Sequence, residues 1–474
     1  MPENFTHDTF SSEQYYYDEQ ARKHPTTVAV KSKLPKAKVT SSGLKVGDSL
    51  FHHGITWNVR TEEIYTPIYN DLPLAGKYHV DFAKQFTYNR FSPRHGHWAQ
   101  PYPVIPLPEL AMPSFDPNHN KTWTECTDER AQWVKALLEK ESNRKIALYY
   151  SGGIDSLVVL IALLKALDTK ELRSRLTICC SMESVIEYPV FFEKEVLGKF
   201  RIIDLKMGTV RFNNLINEGY TVITADLGDA MFGTEVSTQF YYTFRNHAER
   251  LGFQGRKMVS DLLEDIGKPD AHYSVYKDVL IAYLETPNVY SMPTKSRENI
   301  LTPGFGEWYY NKLDKLAQTS DYTVHSLHDF FWQIIFNVKW MHCSCRCFMF
   351  FGDHTNNKPL FEHKRYINWF QSDDYQRWSM VNNNTGQKIK GVTASTYKWA
   401  AREYIYDYTK DEWALYFKLK IASFQKIAPV HSYPHAMDII DRFALNTDYT
   451  VVRHSDPGVI DYIHHHLFNY NDLL

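Results

Sequence analysis

Short apolar strands alternate with helical segments between residues 145 and 225, and the turns between them are short. The predicted strands are 145–150, 176–181, 200–205 and 220–225. The predicted helices between them are 157–167, 189–199 and 210–218. Strands joined through helices run parallel, and a parallel sheet is stable when helices cover both of its faces. The sequence therefore predicts an α/β fold with ligands at the carboxyl ends of the strands.

Segments of different character flank this predicted sheet. Six prolines lie between residues 101 and 117 and end regular structure, so residues 1–120 are expected to form a small separate domain, α+β or mainly β. A helix is expected to begin at Thr127, whose hydroxyl would cap it. Bulky residues then recur with helical spacing at 275–284, 327–340 and 397–408. We therefore expect a second domain, 121–474, in which the parallel sheet with helices on both faces is followed by a mostly helical half.

The overall composition argues against several classes of protein. The chain has 53 Lys and Arg against 55 Asp and Glu, a formal net charge of −2, so its surface as a whole should not attract nucleic acid. The longest apolar run, 157–164, is far shorter than the ~20 residues of a membrane span. The polar N-terminus lacks the apolar core of a signal peptide. With six cysteines in 474 residues, we expect a cytoplasmic protein without a disulfide framework or a membrane partner.

The hexapeptide at 151–156, Ser-Gly-Gly-Ile-Asp-Ser, lies between the first predicted strand and the helix that follows it. Its glycines let backbone amides approach an anion closely, and its serines add hydroxyl donors. The helix that begins near Asp155 directs the positive end of its dipole at the same place. This combination predicts a phosphate-binding turn made by Ser151, Gly152, Gly153 and Ser156. An ordinary glycine turn is the alternative interpretation.

This hexapeptide resembles the pyrophosphate-binding loop of the N-type ATP pyrophosphatases. It lacks the Gly-Lys-Ser/Thr ending of the Walker loop. The resemblance implies that the turn binds the β- and γ-phosphates of an ATP that is cleaved between its α- and β-phosphates. It also implies that Asp155 holds Mg²⁺, the usual partner of such phosphates.

A second segment, 224–233, follows the fourth predicted strand and reads Thr-Ala-Asp-Leu-Gly-Asp-Ala-Met-Phe-Gly. It resembles the Ser-Gly-Glu-Gly-x-Asp-Glu-x-Phe-Gly segment of asparagine synthetases and β-lactam synthetases. The resemblance implies that Asp229 is a second Mg²⁺ ligand and that Asp226 deprotonates the incoming amine. Ala230 stands where this family usually has a second acid. Capping of the following helix is the alternative interpretation of both aspartates.

Weaker similarities to the same family continue in the same order along the chain. Residues 181–188 resemble its adenine-side segment, which implies that Ser181 contacts ATP. Residues 358–363 resemble a structural segment, Arg-x-Pro-Phe-Leu-Asp-His. Lys398 and Arg402 resemble the Lys-x-x-Leu-Arg part of the family's closing pattern.

Residues 418–424 resemble the last part of that closing pattern, Arg-x-Lys-x-x-Phe. In the family this lysine contacts the pyrophosphate and the transition state. Lys420 is the predicted counterpart and catalytic residue. The local spacing differs by one residue, so Lys418 is the second choice and is expected to contact the nucleotide.

Together these similarities span residues 125–430 and imply an ATP-dependent carbon–nitrogen ligase of the asparagine synthetase type. Such an enzyme adenylates a small carboxylate, releases pyrophosphate and transfers the acyl group to ammonia or an amine. Glutamine-using members of the family have a catalytic cysteine after Met1, where this chain has Pro2. Because proline has no thiol, we expect no glutaminase activity in residues 1–120, and nitrogen from glutamine would require a separate glutaminase.

Two other functions stay open at this point. An adenylating enzyme that modifies a nucleobase or tRNA would use the basic segment 22–45 as its RNA contact. A catalytically inactive ATP-binding scaffold would explain the loss of the second acid at Ala230. Release of pyrophosphate would indicate one of the two enzymes and exclude the inactive scaffold. Binding to RNA that weakens steeply with salt would favour the RNA-modifying enzyme over the ligase.

Overall fold

The computed structural model describes residues 74, 77–78, 81, 112–180, 182–204, 212–233, 272–285, 301–340, 365–382, 398–412 and 414–415. These residues fall into two compact units. The sheet unit comprises the described residues within Asn120–Gly228, Pro359–Tyr375 and Ile389–Leu474. The helical unit comprises those within Met1–His119, Asp229–Lys358 and Gln376–Lys388. Most of the predicted N-terminal domain, 1–120, lies outside the described residues.

The sheet unit is built on a five-stranded parallel sheet in the order β3-β2-β1-β4-β5. Its strands are β1 (Lys145–Tyr149), β2 (Leu176–Cys180), β3 (Arg201–Asp204), β4 (Tyr220–Thr224) and β5 (Tyr366–Asn368). β2 and β4 are buried at every residue, as expected of a parallel sheet that is covered on both faces. The predicted α/β class and the first four strands are confirmed. The sequence does not predict β5, which lies in the region expected to be mostly helical.

The three helices predicted between the strands are present, and two short helices that the sequence does not predict, Lys170–Ser174 and Met182–Glu187, lie among them. In the described residues the helices are α1 (Trp123–Lys140), α2 (Ile154–Ala166), α3 (Lys170–Ser174), α4 (Met182–Glu187), α5 (Pro189–Glu195), α6 (Phe212–Asn217), α7 (Gly228–Phe232), α8 (Lys277–Glu285), α9 (Phe305–Thr319), α10 (Leu327–Gln333), α11 (Asp373–Asn382) and α12 (Trp399–Thr409). Short 3₁₀ turns occur at Tyr273–Tyr276 and Trp369–Gln371, and α10 continues as a π-helix, Ile334–Lys339. Within the described ranges, no helix combines the length and apolar character needed to cross a lipid bilayer.

Helix α2 is the centre of the apolar core of the sheet unit. Every residue from Leu157 to Leu163 is completely buried, and both α1 and α12 pack against this helix. A helix that is apolar on all sides belongs in the interior of a protein. Burying each leucine side chain contributes about 1.5–3 kcal/mol. The packing of α2 therefore also anchors the turn that precedes it.

Helix α1 begins five residues earlier than the sequence predicts. The N-cap is Thr122, whose hydroxyl accepts a hydrogen bond from the Glu125 amide at 3.2 Å. The Glu125 carboxylate accepts one from the Thr122 amide at 2.7 Å, which completes a capping box. Thr127 is buried inside α1 and donates to the Trp123 carbonyl at 2.7 Å. The prediction for Thr127 is wrong because the capping box that starts the helix, Thr122 with Glu125, lies five residues earlier in the chain.

Aromatic side chains form much of the core of the helical unit. Trp332 stacks on Phe336 with ring centroids 4.6 Å apart, and Phe336 meets Trp340 edge to face at 5.2 Å. These three residues belong to α10 and its continuation, so the predicted helix at 327–340 is confirmed with a π-helical second half. Tyr78 donates a hydrogen bond to the Pro303 carbonyl at 2.9 Å, which ties the described part of the N-terminal region to this unit.

Candidate functional site

The strand order reverses at β1, so one position at the carboxyl edge of the sheet, between β1 and β4, is the point of reversal. The chain passes from β1 outward to β2 and β3 and then returns to β4 on the other side of β1. β1 and β4 pair in parallel, with Leu148 opposite Ile223. Open parallel sheets bind ligands outside the carboxyl ends of the strands at such a reversal. The predicted segment 151–156 follows β1, and the predicted segment 224–233 begins at the last residue of β4, so both start at this position.

The two segments are in direct contact through Gly228 and Asp155. A Cβ atom at position 228 would lie 2.2 Å from both Cγ and Oδ1 of Asp155, far inside van der Waals contact. Only glycine leaves room for the carboxylate here. Both residues belong to the sheet unit. The structure thus brings together the two segments that the sequence singles out.

Helix α4 packs against the turn that follows β1. Gly152 has a left-handed backbone, with φ +74°, which glycine adopts readily. A Cβ atom at this position would lie 2.1 Å from the Ser184 carbonyl oxygen and 2.5 Å from Cβ of Glu187. Ser184 and Glu187 belong to the segment 181–188, which the sequence associates with the adenine side of a nucleotide. The turn and this segment therefore lie against each other at the edge of the candidate site.

The two serine hydroxyls of the hexapeptide hold the turn closed. Oγ of Ser156 lies 3.1 Å from the Ser151 amide nitrogen, 3.0 Å from the Ser151 hydroxyl and 3.2 Å from the Gly153 carbonyl oxygen. Ser156 is 2% exposed. Its hydroxyl therefore fixes the shape of the turn from inside, and Ser151 is the more accessible of the two serines. The phosphate contacts expected of both stay predictions.

The amino end of α2 is the most anion-attracting feature of the turn. The N-cap of this 13-residue helix is Gly153, which has no side chain with which to cap the first amides. The unbonded amides of a helix end carry the positive end of the helix dipole, about half an elementary charge. Phosphate groups bind at such ends. The geometry at 151–156 therefore suits an anion, and phosphate binding there stays a prediction.

The Asp155 carboxylate is held by Lys398. Nζ of Lys398 lies 2.7 Å from Oδ1 and 2.6 Å from Oδ2 of Asp155. The side chains are 4% and 21% exposed for the lysine and the aspartate, so the pair is largely removed from water. Charge-assisted hydrogen bonds of this kind are short, and a low local dielectric strengthens them. Both residues belong to predicted motifs, Asp155 to the turn at 151–156 and Lys398 to the closing pattern. Neither motif predicts that the two side chains pair.

Lys398 and Arg402, which resemble the family's closing pattern, are both buried in the sheet unit. Lys398 precedes α12 and has a left-handed backbone, with φ 57° and ψ 42°. Such a conformation costs roughly 1–2 kcal/mol in a residue with a side chain. The Arg402 guanidinium donates to the carbonyl groups of Ala414 and Leu415 at 3.2 and 3.3 Å. These bonds fix the start of the chain segment that follows α12.

The acids of the second motif lie at the end of β4. Asp226 is half-buried in the turn between β4 and α7, and Asp229 is half-buried in the first turn of α7. Ala230, which takes the place of the family's second acid, is completely buried. The structure therefore places Asp226 next to the Gly228–Asp155 contact along the chain, and its role as a base stays a prediction.

The donor set fits a metal ion only under one condition. Mg²⁺ at nucleotide sites takes one or two protein carboxylates, and phosphates supply further oxygens. Asp155 offers such a carboxylate, but the Lys398 ammonium bonds both of its oxygens. Within the described ranges, no group of three or more His, Cys, Asp or Glu residues could hold a metal. Without a nucleotide the described donors make no metal site, and the Mg²⁺ contacts expected of Asp155 and Asp229 stay predictions.

Several predicted features lie outside the described residues. They are the ATP contact Ser181, the candidate lysines Lys418 and Lys420, the structural segment 358–363 and the basic segment 22–45. A comparison with protein-family models, curated proteins and solved structures finds no match. What the site can do therefore follows from its own geometry.

Proposed function

We propose that this chain is an ATP-dependent ligase that adenylates a carboxylate, releases pyrophosphate and transfers the acyl group to ammonia or an amine. In this proposal the sheet unit is an ATP pyrophosphatase fold of the asparagine synthetase type. The contact between Gly228 and Asp155 carries the proposal, because it joins the turn after β1 to the turn after β4. An adenylated intermediate formed at one turn must react beside the other, and such proximity lowers the barrier of a two-step transfer.

The turn at 151–156 is the proposed pyrophosphate site. Its support is the helix end at Gly153, which favours negative charge, and the glycine backbone that can approach phosphate oxygens. In the first step, an oxygen of the substrate carboxylate bonds to the α-phosphorus of ATP. The bond from that phosphorus to the bridging oxygen breaks, and its electron pair leaves with pyrophosphate. Lys420, or Lys418, would neutralise the charge that develops on this leaving group.

The turn after β4 is the proposed acceptor side. In the second step, the nitrogen of ammonia or an amine bonds to the acyl carbon, and the bond from that carbon to AMP breaks. Asp226, half-buried in this turn, would take the proton that the nitrogen loses. Asp155 and Asp229 are the proposed ligands of Mg²⁺, which would offset the negative charge of the phosphates.

An inactive ATP-binding scaffold is the second candidate, and one observation favours it. Ala230 is completely buried at the position where the resemblance expects an acid. Protein interiors are close-packed, so a carboxylate at this enclosed position would require its surroundings to be arranged differently. The departure is thus part of the local packing. A scaffold of this kind would bind ATP without splitting it.

A pyrophosphate-release assay tests the proposal. The purified chain is incubated with ATP, Mg²⁺ and panels of carboxylates, each with ammonia or with amines. A ligase releases pyrophosphate only with particular carboxylates and forms AMP in equal amount. Tight binding of ATP without pyrophosphate release across the whole panel would support the scaffold and contradict the ligase.

A further inference from the structure

The helical unit contains a cavity of about 490 Å³ that none of the predicted motifs reaches. Its volume lies within the range of about 300–1,000 Å³ that is typical of ligand pockets. The cavity is bounded by the 3₁₀ turn Tyr273–Tyr276, the start of α8 and one face of α9. The lining side chains that decide its chemistry are His272, Tyr273, Lys277, Tyr310, Asn311 and Asp314.

The two tyrosines of the lining are fixed by Phe330 of α10. The Tyr273 ring stacks on Phe330 with centroids 4.8 Å apart, and the Tyr310 ring stacks on it at 5.8 Å. Phe330 is completely buried. The Tyr273 amide also donates to the His325 carbonyl at 2.8 Å, which ties the 3₁₀ turn to the chain before α10. These walls are therefore in place before a ligand arrives, which reduces the cost of ordering on binding.

The Asp314 carboxylate already receives hydrogen bonds from the protein on both oxygens. The Tyr273 hydroxyl donates to Oδ1 at 2.6 Å, and Nε2 of Gln318 donates to Oδ2 at 2.8 Å. Burial, followed by the bond to Asp314, raises the pKa of Tyr273. Burial also raises the pKa of Tyr310 to about 12. Both phenols therefore stay neutral at neutral pH and add no negative charge to the cavity.

The groups that the protein leaves for a ligand are mainly donors. The Lys277 ammonium lies over the Tyr310 ring, 5.6 Å from its centroid, and among the described residues it forms no ion pair with a carboxylate. The Ser274 amide donates to Nδ1 of His272 at 3.3 Å, so the neutral imidazole carries its proton on Nε2. Asn311 is exposed, and its amide adds two further N–H donors. The cavity thus combines one cationic donor with several neutral ones.

We propose that this cavity binds a small organic carboxylate. The ligand's carboxylate would accept hydrogen bonds from Lys277 and the neighbouring donors, and charge-assisted bonds of this kind are the strong ones. Its body would contact the tyrosine rings, Ala317 and Val324, which are the apolar part of the lining. The site is independent of the phosphate turn, so the proposal stands whether or not the chain is a ligase.

The first test titrates the full chain with 4-fluorobenzoate, a carboxylate with a small apolar body, and follows binding by ¹⁹F NMR. Lys277→Met removes the ammonium and keeps a long side chain, so affinity should fall about tenfold, the effect of losing one charge-assisted contact. Lys312→Met is the matched control. Lys312 also lies over an aromatic ring, 5.9 Å from the Trp308 centroid, but it does not line the cavity. Its variant should bind the probe as wild type does.

The second test fills the cavity from an exposed position of α9. Asn311→Trp places a bulky ring in the lining, and it should abolish saturable binding of 4-fluorobenzoate. Thr319→Trp is the control, because Thr319 is exposed on the same helix and lies outside the lining. Circular dichroism of each variant confirms that the chain is folded before affinities are compared.

Several outcomes would overturn the proposal. They are no saturable binding of 4-fluorobenzoate by wild type, and wild-type affinity in either Lys277→Met or Asn311→Trp. Tighter binding of 4-fluorobenzylamine would show that Asp314 selects a cation instead.

A last measurement separates this site from the proposed ligase site. Saturating ATP with Mg²⁺ should leave the affinity for 4-fluorobenzoate unchanged, and a change would assign the probe to the carboxylate site of the ligase. A chain that binds the probe in the cavity but releases no pyrophosphate from ATP would contradict the ligase alone. A working ligase whose cavity does not bind the probe would contradict the cavity site alone.

Discussion

Gly152 packs so closely on Ser184 of α4 that a Cβ atom at position 152 would lie 2.1 Å from the Ser184 carbonyl oxygen. The glycine is required twice, once by its positive φ and once by the lack of space for a side chain. An ordinary glycine turn needs only the first condition. The double requirement shows that the turn is shaped by its neighbour as well as by its own sequence.

Gly152→Ala is expected to destabilise the chain by about 2–5 kcal/mol, because left-handed strain and overlap with backbone atoms add together. Gly198→Ala is the matched control. Gly198 also has a positive φ, +71°, but a Cβ atom there would meet nothing within 4 Å. Strain alone should cost roughly 1–2 kcal/mol at that position. Urea unfolding of the two variants measures the difference, and equal losses would contradict the packing of Gly152 on α4.

Asp155→Asn is expected to lower pyrophosphate release about 10²–10³-fold, since it removes a charge beside the reacting phosphates. Asp168→Asn is the control, because Asp168 follows the other end of α2 and pairs with Lys135 at 2.8 Å on the surface. An exposed pair contributes about 0–1 kcal/mol, so this variant should keep wild-type release. Near-normal release by Asp155→Asn would exclude the assigned role of the carboxylate.

Lys420→Ala is expected to reduce turnover far more than Lys418→Ala. Loss of one charge contact at a transition state typically costs about 2.7–4 kcal/mol, whereas a lysine that makes no such contact should contribute little to turnover. Steady-state rates of pyrophosphate release compare the two variants. Small and equal effects would show that neither residue is the catalytic lysine.

The helical unit should lose stability in acid through His328. Burial, the largest effect, lowers the pKa of this histidine from 6.5 to about 4, and the nearby Asp329 offsets part of that shift. Between these pKa values the unfolded chain binds a proton that the folded chain does not, so stability falls as the pH is lowered through this window. His328→Leu should flatten this part of the pH dependence of the melting temperature. His325→Gln, at an exposed position, should retain the full slope.

Local patterns account for the sheet and for the position of the site, because the four strands between 145 and 225 and three of the helices between them carry their own signals, whereas the sequence does not predict α3 and α4. They do not account for contacts between distant segments. Lys398 and Asp155 are 243 residues apart, so no spacing rule could pair them. Ser156 illustrates a second limit. Its residue type indicates a hydroxyl donor, but burial decides that the hydroxyl closes the turn from inside.

The edge strand β5 has a consequence for how the chain folds as it is synthesised. Asn368 pairs with Thr224, so the sheet gains its last strand only after the helices of the intervening region have left the ribosome. Lys398 is made later still, and until then Asp155 lacks its ammonium partner. Domains usually fold in the order of synthesis, and contacts between distant segments slow folding. Until β5 is synthesised, β4 is therefore an edge strand of the nascent sheet. Its unpaired backbone groups can then pair with a strand of another chain.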